Sequence, residues 1–288
     1  MTDELWTIKR LLDWTTDFFK SKELEQPRLC AEILLADSLK CQRIDLYTRF
    51  NEVPDEQPLA RYRDWVKRHA KGEPVAYLVG FKEFYSMRFT VNSHVLIPRP
   101  ETEHVVMAAI EVTKEIQNRP IRILDIGTGS GCIAITLAKQ IENSQITACD
   151  ISADALAVAE LNSIENEVEI EFLLSDLFDA VETGTKVDFI VSNPPYIGLA
   201  EESSVDESVK NFEPHQALFA GQNGLDVISR LVEQSPRFLN PNGFLIFETS
   251  PVIFDQCLEL IESNNQFGPV KTIRDFANLR RVIQAQIL

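Results

Sequence analysis

Leu5, Ile8, Leu12 and Phe19, flanked by Leu11 and Phe18, recur at the three-to-four-residue spacing of an amphipathic helix. Pro27 stands where a second helix, running through Leu39, would begin, and residues 59–70 repeat the helical spacing a third time. The first 75 residues therefore predict a small helical module. The period then changes to two: Tyr85, Met87, Phe89 and Val91 alternate with Ser86, Arg88, Thr90 and Asn92, which predicts a strand in a hairpin joining the two halves of the chain. Beyond it, short apolar runs at 122–126, 145–149, 168–174, 187–192, 244–247, 270–275 and 281–287 predict strands. Helical spacing at 101–117, 132–139, 152–162, 226–239 and 251–262 separates them. The expected domains are thus a helical domain at 1–75, a hairpin linker at 76–98 and a sheet domain at 99–288. Residues 197–222 are long, polar and rich in acids, with no regular period, as in a functional lid or a disordered loop.

The strand ends carry the chemistry. The run at 122–126 leads into Gly127-Thr128-Gly129-Ser130-Gly131 and then a helix, and glycines there permit a sharp turn and the close approach of a ligand. A dinucleotide fingerprint needs a glycine at position 132, where this chain has Cys132, so a nicotinamide cofactor is disfavoured. Asp150 ends the second strand, placed either to accept from ribose hydroxyls or to cap the following helix. Asp176 and Leu177 follow the third strand, and Asn193 ends the fourth. In an open parallel sheet such ends line one crevice. S-adenosyl-L-methionine suits that series, with ribose on Asp150, adenine near Asp176 and Leu177, methionine against the glycine turn and its methyl toward Asn193.

Asn193-Pro194-Pro195-Tyr196 reads either as a proline-rich turn after a buried strand or as a chemical site. Two prolines remove two N–H donors and stiffen the chain, so the Asn193 side-chain oxygen and the Pro194 carbonyl are acceptors for a planar NH₂, and Tyr196 can cover its face. An amide or aromatic amino group is a poor nucleophile until its protons are held, which points to amino-nitrogen methylation.

Charge narrows the partners. With 44 acidic and 28 basic residues the formal net charge is −16, and residues 1–75 are nearly neutral, so the sheet half is the acidic one. Such a surface repels phosphate backbones, and direct nucleic-acid binding is not expected. The local basic cluster Arg61, Arg63, Lys67, Arg68 and Lys71 reads as a solvated helix face or a docking patch. Five scattered cysteines and four isolated histidines offer no metal-ligand spacing, and reduced thiols suit a cytoplasmic protein. The acidic start, Met1 to Leu5, is unlike a secretory signal, and no apolar run approaches a membrane helix.

Together with these features, Ile97-Pro98-Arg99-Pro100-Glu101-Thr102-Glu103, Phe212-Glu213-Pro214, Ala217-Leu218 and Gly224-Leu225 make the chain resemble the HemK-type (PrmC family) release-factor glutamine methyltransferases, from about Leu5 to the C-terminus. The resemblance implies a Rossmann-like class I S-adenosylmethionine-dependent methyltransferase sheet, an α/β fold, with a small N-terminal helical domain that recognises the protein substrate. It implies methylation of the glutamine in the Gly-Gly-Gln segment of peptide chain release factors. It further implies that residues 193–196 hold that glutamine and that Gly127 to Gly131, Asp150, Leu177 and Asn193 contact the cofactor. Part of 197–222 is then expected to order over the target. Glu101 and Glu103 either complement a helix N-terminus or, with Arg99, steady the cofactor or the loop carrying Asn193. Two departures stand out: Glu248-Thr249-Ser250, where relatives tend to have glycine after the acid, and Asn278, where glycine is usual in the last hairpin. Asparagine tolerates positive φ, so the second change preserves the turn. Rival readings are methylation of an exocyclic base amine such as adenine N6, methylation of a ribosomal-protein glutamine, and a non-catalytic cofactor-binding adaptor.

Overall fold

The apolar periodicities of the N-terminal region fold as helices α1 (Ile8–Ser21), α2 (Pro27–Ser38), α3 (Arg43–Thr48), α4 (Glu56–His69) and α5 (Val75–Val79). This computed structural model describes residues 5–114 and 119–288. The first four residues and the end of the helix expected over 101–117 lie outside them. Thr7 caps α1 by accepting from the Arg10 amide at 3.3 Å, and Ile8, Leu12, Phe19, Leu34, Leu35 and Tyr62 form the centre of a buried cluster. Buried Glu32 accepts from Arg28 (2.8 Å), Arg43 (2.9 Å) and Tyr47. Burial alone would raise its pKa, but those donors outweigh it and hold the carboxyl below the usual range. The basic cluster on and after α4 is exposed, with Arg63 paired to Glu56 and Arg68 to Glu73. Helices α3 and α5 escaped the sequence reading because six and five residues are too few to display a period.

By its contacts the chain divides into two compact units, residues 1–80 with Glu207–Phe212, and Phe81–Asp206 with Glu213–Leu288. In the first, α9 (Glu207–Phe212) brings the Phe212 ring to 3.7 Å from the point where a Cβ on Gly72 would sit.

The second unit begins with a hairpin, β1 (Phe81–Phe84) and β2 (Met87–Thr90). Tyr85, expected within a strand, instead forms the two-residue turn with Ser86. Both have positive φ (51° and 60°), as a right-twisted hairpin requires. Then follow α6 (Glu103–Thr113), β3 (Ile121–Ile126), α7 (Cys132–Gln140), β4 (Ser144–Asp150), α8 (Ala153–Glu165), β5 (Glu171–Leu174) and β6 (Val187–Ser192). After them come α10 (Asp226–Gln234), β7 (Leu239–Glu248), α11 (Phe254–Glu262), β8 (Phe267–Arg274) and β9 (Arg280–Ile287). The seven-stranded sheet has the order β5-β4-β3-β6-β7-β9-β8. Its first five strands run parallel, while β9 is antiparallel to β7 and β8. This is the Rossmann-like α/β arrangement expected from the sequence.

Both faces of the sheet are covered, so β6 is buried at every position. Phe189 and Val191 join a cluster with α6 and α7, whereas Ile190 joins one with α10 and α11. Buried Asp188 at the start of β6 accepts from Arg119 twice (2.7 Å each), from the Arg122 amide (3.0 Å) and from Asn240 (2.9 Å). Residues 197–222 are more regular than expected. They hold short 3₁₀ turns at Leu199–Ser204 and His215–Ala217, helix α9, and a parallel bridge between Ile197 and Phe219. Asn278 sits at φ 62°, so the last hairpin keeps its left-handed residue. Thr249 and Ser250 do not adopt positive φ, so no glycine is needed there.

Candidate active site

Chain order reverses between β3 and β6, and the strand order therefore opens a crevice at their carboxyl ends. A cleft of about 260 Å³ lies there. Gly127, Thr128, Gly129, Ser130, Asp150, Asp176, Leu177, Asn193 and Pro195 line it. Gly131, Pro194 and Tyr196 are not among the lining residues, although each adjoins one in sequence.

The glycine turn is anchored to the end of β4. Gly127 and Thr128 donate their amides to the Cys149 carbonyl (2.8 and 2.9 Å), and Gly129 donates to Asp150 Oδ2 (2.8 Å). Asp150 Oδ1 accepts from the Ser152 amide (2.9 Å). It is Ser152, accepting from Ala155, that caps α8, so the alternative role considered for Asp150 falls to its neighbour. Burial raises the Asp150 pKa, against the opposing pull of the Ser152 and Gly129 amides. Ideal Cβ atoms on Gly127 and Gly129 would meet nothing within 4 Å, whereas one on Gly131 would strike Ile135 at 2.8 Å. The first two thus leave ligand space and the third lets α7 and α8 pack. Asp125, fully buried beneath the turn, accepts from Thr128 (2.7 Å) and is approached by the Ala134 amide, while its Oδ1 has no well-formed hydrogen bond among the described residues. Burial pushes its pKa up to about 7.

At the third strand end, Arg230 holds Asp176 with two bonds of 3.1 and 3.0 Å. Leu177 takes a left-handed φ of 50°, uncommon for a leucine, and Ser175 stabilises the bend by donating to its carbonyl (3.0 Å).

Half-buried Asn193 belongs to a chain of hydrogen bonds that leads to a buried acid. Its Nδ2 donates to Thr102 Oγ1 (3.0 Å), Thr102 donates to Glu248 Oε2 (2.6 Å), and Tyr196 donates its hydroxyl to Glu248 Oε1 (3.0 Å). Asn193 Oδ1 accepts no hydrogen bond among the described residues. Glu248 is 1% exposed, and burial raises its pKa against the two hydroxyl donors and the Arg281 cation, with Glu101 adding like-charge repulsion. The Tyr196 hydroxyl is pushed well above its ordinary value by burial and by Glu248. Gly224, at φ 77°, lies so close to Tyr196 that a Cβ would come 2.3 Å from its carbonyl oxygen.

Arg99 lines the cleft and pairs with buried Glu213, which also accepts from the Ile97 amide (3.0 Å). The cation thus ties the 97–99 segment to the segment that closes the loop after Asn193. Fully buried Asn162 donates to the Ser130 carbonyl (2.8 Å) and exchanges bonds with Thr90, linking the glycine turn to β2. In the sequence Thr102 stands out only as part of the 97–103 segment, with no role of its own, and Arg230 and Asn162 carry no signal there. Glu248 could have been found, because it ends β7, the fifth parallel strand, where the rule that picked out Gly127, Asp150, Asp176 and Asn193 applies equally.

A model of the PrmC N-terminal domain matches residues 10–80, and one of the methyltransferase small domain matches 108–212. A release factor glutamine methyltransferase of Rhodopirellula baltica is 46% identical, the alignment spanning 99% of this chain and 97% of that protein. The chain belongs to the release factor glutamine methyltransferase family. A second relative of that description, from Koribacter versatilis, is 41% identical over 96% of this chain and 97% of its own. Among solved structures, the 16S rRNA N2 G1207 methyltransferase of T. thermophilus in complex with AdoMet and guanosine superposes with a TM-score of 0.53. It covers 72% of this chain and 50% of its own at 18% identity, a likeness of fold alone. Among the described residues no helix is long and apolar enough to cross a membrane, and no cluster could hold a metal ion.

Proposed function

We propose that this protein transfers a methyl group from S-adenosyl-L-methionine to the side-chain amide nitrogen (N5) of the glutamine in the Gly-Gly-Gln segment of peptide chain release factors. The observation that carries this reading is the asparagine at the fourth strand end, whose amino group is tied back to Thr102 while its carbonyl oxygen is left as an acceptor at the cleft. Family membership supports the choice of substrate.

The residues present fit the cofactor. Gly127 and Gly129 leave open space where side chains would stand. The Asp150 carboxylate is held by backbone amides, including Gly129 on Oδ2 and Ser152 on Oδ1, and has acceptor capacity left for a ribose hydroxyl. Gly127 to Gly131, Asp150, Asp176, Leu177 and Asn193 form the cofactor side of the site, and Asn193, Pro194, Pro195 and Tyr196 form the substrate side. When bound, the cofactor supplies an electrophilic methyl group on a sulfonium centre. The chain's own contribution is orientation. Asn193 Oδ1 and the Pro194 carbonyl accept the two amide hydrogens of the target, which turns its nitrogen toward the cofactor side. As positive charge grows on that nitrogen these acceptors bind more strongly, so they favour the transition state over the ground state. Burial pushes the Cys132 and Cys149 thiols up to about 12, so neither offers a thiolate near neutral pH.

Residues 1–75 serve as the recognition domain for the release factor, 76–98 as the linker, and 99–288 as the methyltransferase domain. The enzyme works in the cytoplasm on a protein partner, and its acidic surface keeps it off nucleic acid. Labelled S-adenosylmethionine, offered with release factor, with its Gly-Gly-Gln glutamine changed to alanine, or with an oligonucleotide, tests this. Label is expected on the intact factor and lost with the alanine substitution; label on the oligonucleotide instead would overturn the assignment.

A further inference from the structure

Asparagine presents two ends of nearly equal size, an acceptor oxygen and a donor NH₂, and a half-turn about χ2 exchanges them. A target amide needs the oxygen. With the side chain reversed, NH₂ would face NH₂ and the target's hydrogens would find no acceptor. Something in the protein must therefore choose between the two orientations.

We propose that Thr102 and Glu248 are positioning residues that fix the Asn193 amide with its oxygen toward the target. The inference rests on the reading that Asn193 engages the target amide. An ionised carboxylate only accepts hydrogen bonds, and both oxygens of Glu248 are engaged by hydroxyls, Thr102 at 2.6 Å and Tyr196 at 3.0 Å. A hydroxyl has a single hydrogen. Once Thr102 has given its hydrogen to Glu248, it has only lone pairs to offer Asn193, and it accepts from Nδ2 at 3.0 Å. A reversed Asn193 would set its oxygen against the lone pairs of Thr102, which is 1% exposed and engaged with an equally buried Glu248, so the mismatch would cost a hydrogen bond. The second carboxylate oxygen does the same for the Tyr196 hydroxyl. One acid, at the end of the neighbouring strand, thus aligns both ends of the Asn-Pro-Pro-Tyr segment. Burial and Glu101 raise the Glu248 pKa against the Arg281 cation and the two hydroxyl donors, so this orientation belongs to the pH range above that raised value, where the acid is ionised.

Thr102→Val is nearly isosteric and removes the hydroxyl. Turnover of release factor should fall by about 10- to 100-fold, the scale on which misplacement of a reacting group costs rate. S-adenosylmethionine affinity, measured by calorimetry, and the melting profile should stay close to wild type. Thr102→Ser, which restores the hydroxyl, should recover most of the turnover, and Thr102→Ala serves where valine prevents folding. The deciding measurement is made in an Asn193→Ala background. If Thr102 acts through Asn193, its loss there changes turnover no further; an equal loss in both backgrounds would assign Thr102 a merely structural role and overturn the proposal. Wild-type turnover in Thr102→Val beside an impaired Asn193→Ala would also overturn it, while leaving the functional reading intact. Near-normal turnover in Asn193→Ala itself would remove Asn193 from the chemistry and take both down.

Discussion

Replacing Asp150 by alanine separates cofactor binding from the rest of the site. In the folded protein each carboxylate oxygen already accepts one backbone amide, from Gly129 at 2.8 Å and from Ser152 at 2.9 Å, and the residue is 9% exposed. The Ile151 amide also bonds the carboxylate, and the acceptor capacity left over is what a ligand can use. A hydrogen bond to a charged acceptor contributes about 1.5–3 kcal/mol, so losing a ribose contact of this kind weakens binding by about 10- to 150-fold. The alanine variant should show that loss in the Kd for S-adenosylmethionine and for S-adenosylhomocysteine alike, because both carry the ribose. A pH series sharpens the test. Burial raises the Asp150 pKa, so the wild-type carboxylate takes up a proton at a pH above the ordinary aspartate range, and the protonated form has lost acceptor capacity. Affinity should therefore be flat above that raised pKa and fall as the pH drops through it. The variant should lack this component. Titration calorimetry of both proteins across the acid range reads the two effects together. An unchanged Kd in Asp150→Ala, or the same acid-side decline in both proteins, would refute the ribose assignment.

Two further outcomes follow from the same geometry. Gly224→Ala puts a Cβ 2.3 Å from the Tyr196 carbonyl oxygen at φ 77°, whereas Gly184→Ala, at φ 94° with nothing within 4 Å, meets only the backbone penalty. Urea unfolding should show a loss of about 1–2 kcal/mol for Gly184→Ala and about 2–4 kcal/mol for Gly224→Ala, and equal losses would mean that the contact does not matter. Asp125, with its pKa pushed up to about 7 from an unfolded value of 3.8, keeps its proton in the folded state where the unfolded chain has lost it. Its contribution to stability is therefore fully present below about pH 4 and is lost as the pH rises toward 7, by up to about 1.4 kcal/mol per unit. Asp125→Asn should remove that slope from unfolding curves taken between about pH 5 and 8, and an unchanged slope would place the titrating group elsewhere.

What could be read from sequence was whatever depends on period and on strand ends. The bounds of β6 are legible because both its faces are buried, which gives a mostly apolar run, broken only by Asp188 and Ser192, that stops at Asn193 and two prolines. Helix α7 was recognised because glycine precedes it and its apolar spacing is long enough to repeat. Sequence misleads where side-chain type and backbone conformation disagree. Tyr85 has a side chain suited to a strand, yet the hairpin needs two left-handed residues and takes Tyr85 and Ser86 for them.

The site divides in the same way. Glycines and acids at strand ends could be found one strand at a time, but the orientation of the Asn193 amide is fixed by Thr102, 91 positions away, and Thr102 is fixed by Glu248, a further 146 away. A threonine at the entrance to a helix reads as an ordinary N-terminal residue, and in this protein its hydroxyl is turned from capping toward a buried acid. That departure from local preference is itself informative: a polar side chain that forgoes a nearby backbone partner for a charged group deep in the sheet is one whose hydrogen-bond direction the fold has fixed. The direction of that single hydroxyl decides whether the Asn-Pro-Pro-Tyr segment presents an acceptor or a donor. Motif and reactivity are therefore separable, and a chain could retain all four motif residues and lose its activity through Thr102 alone.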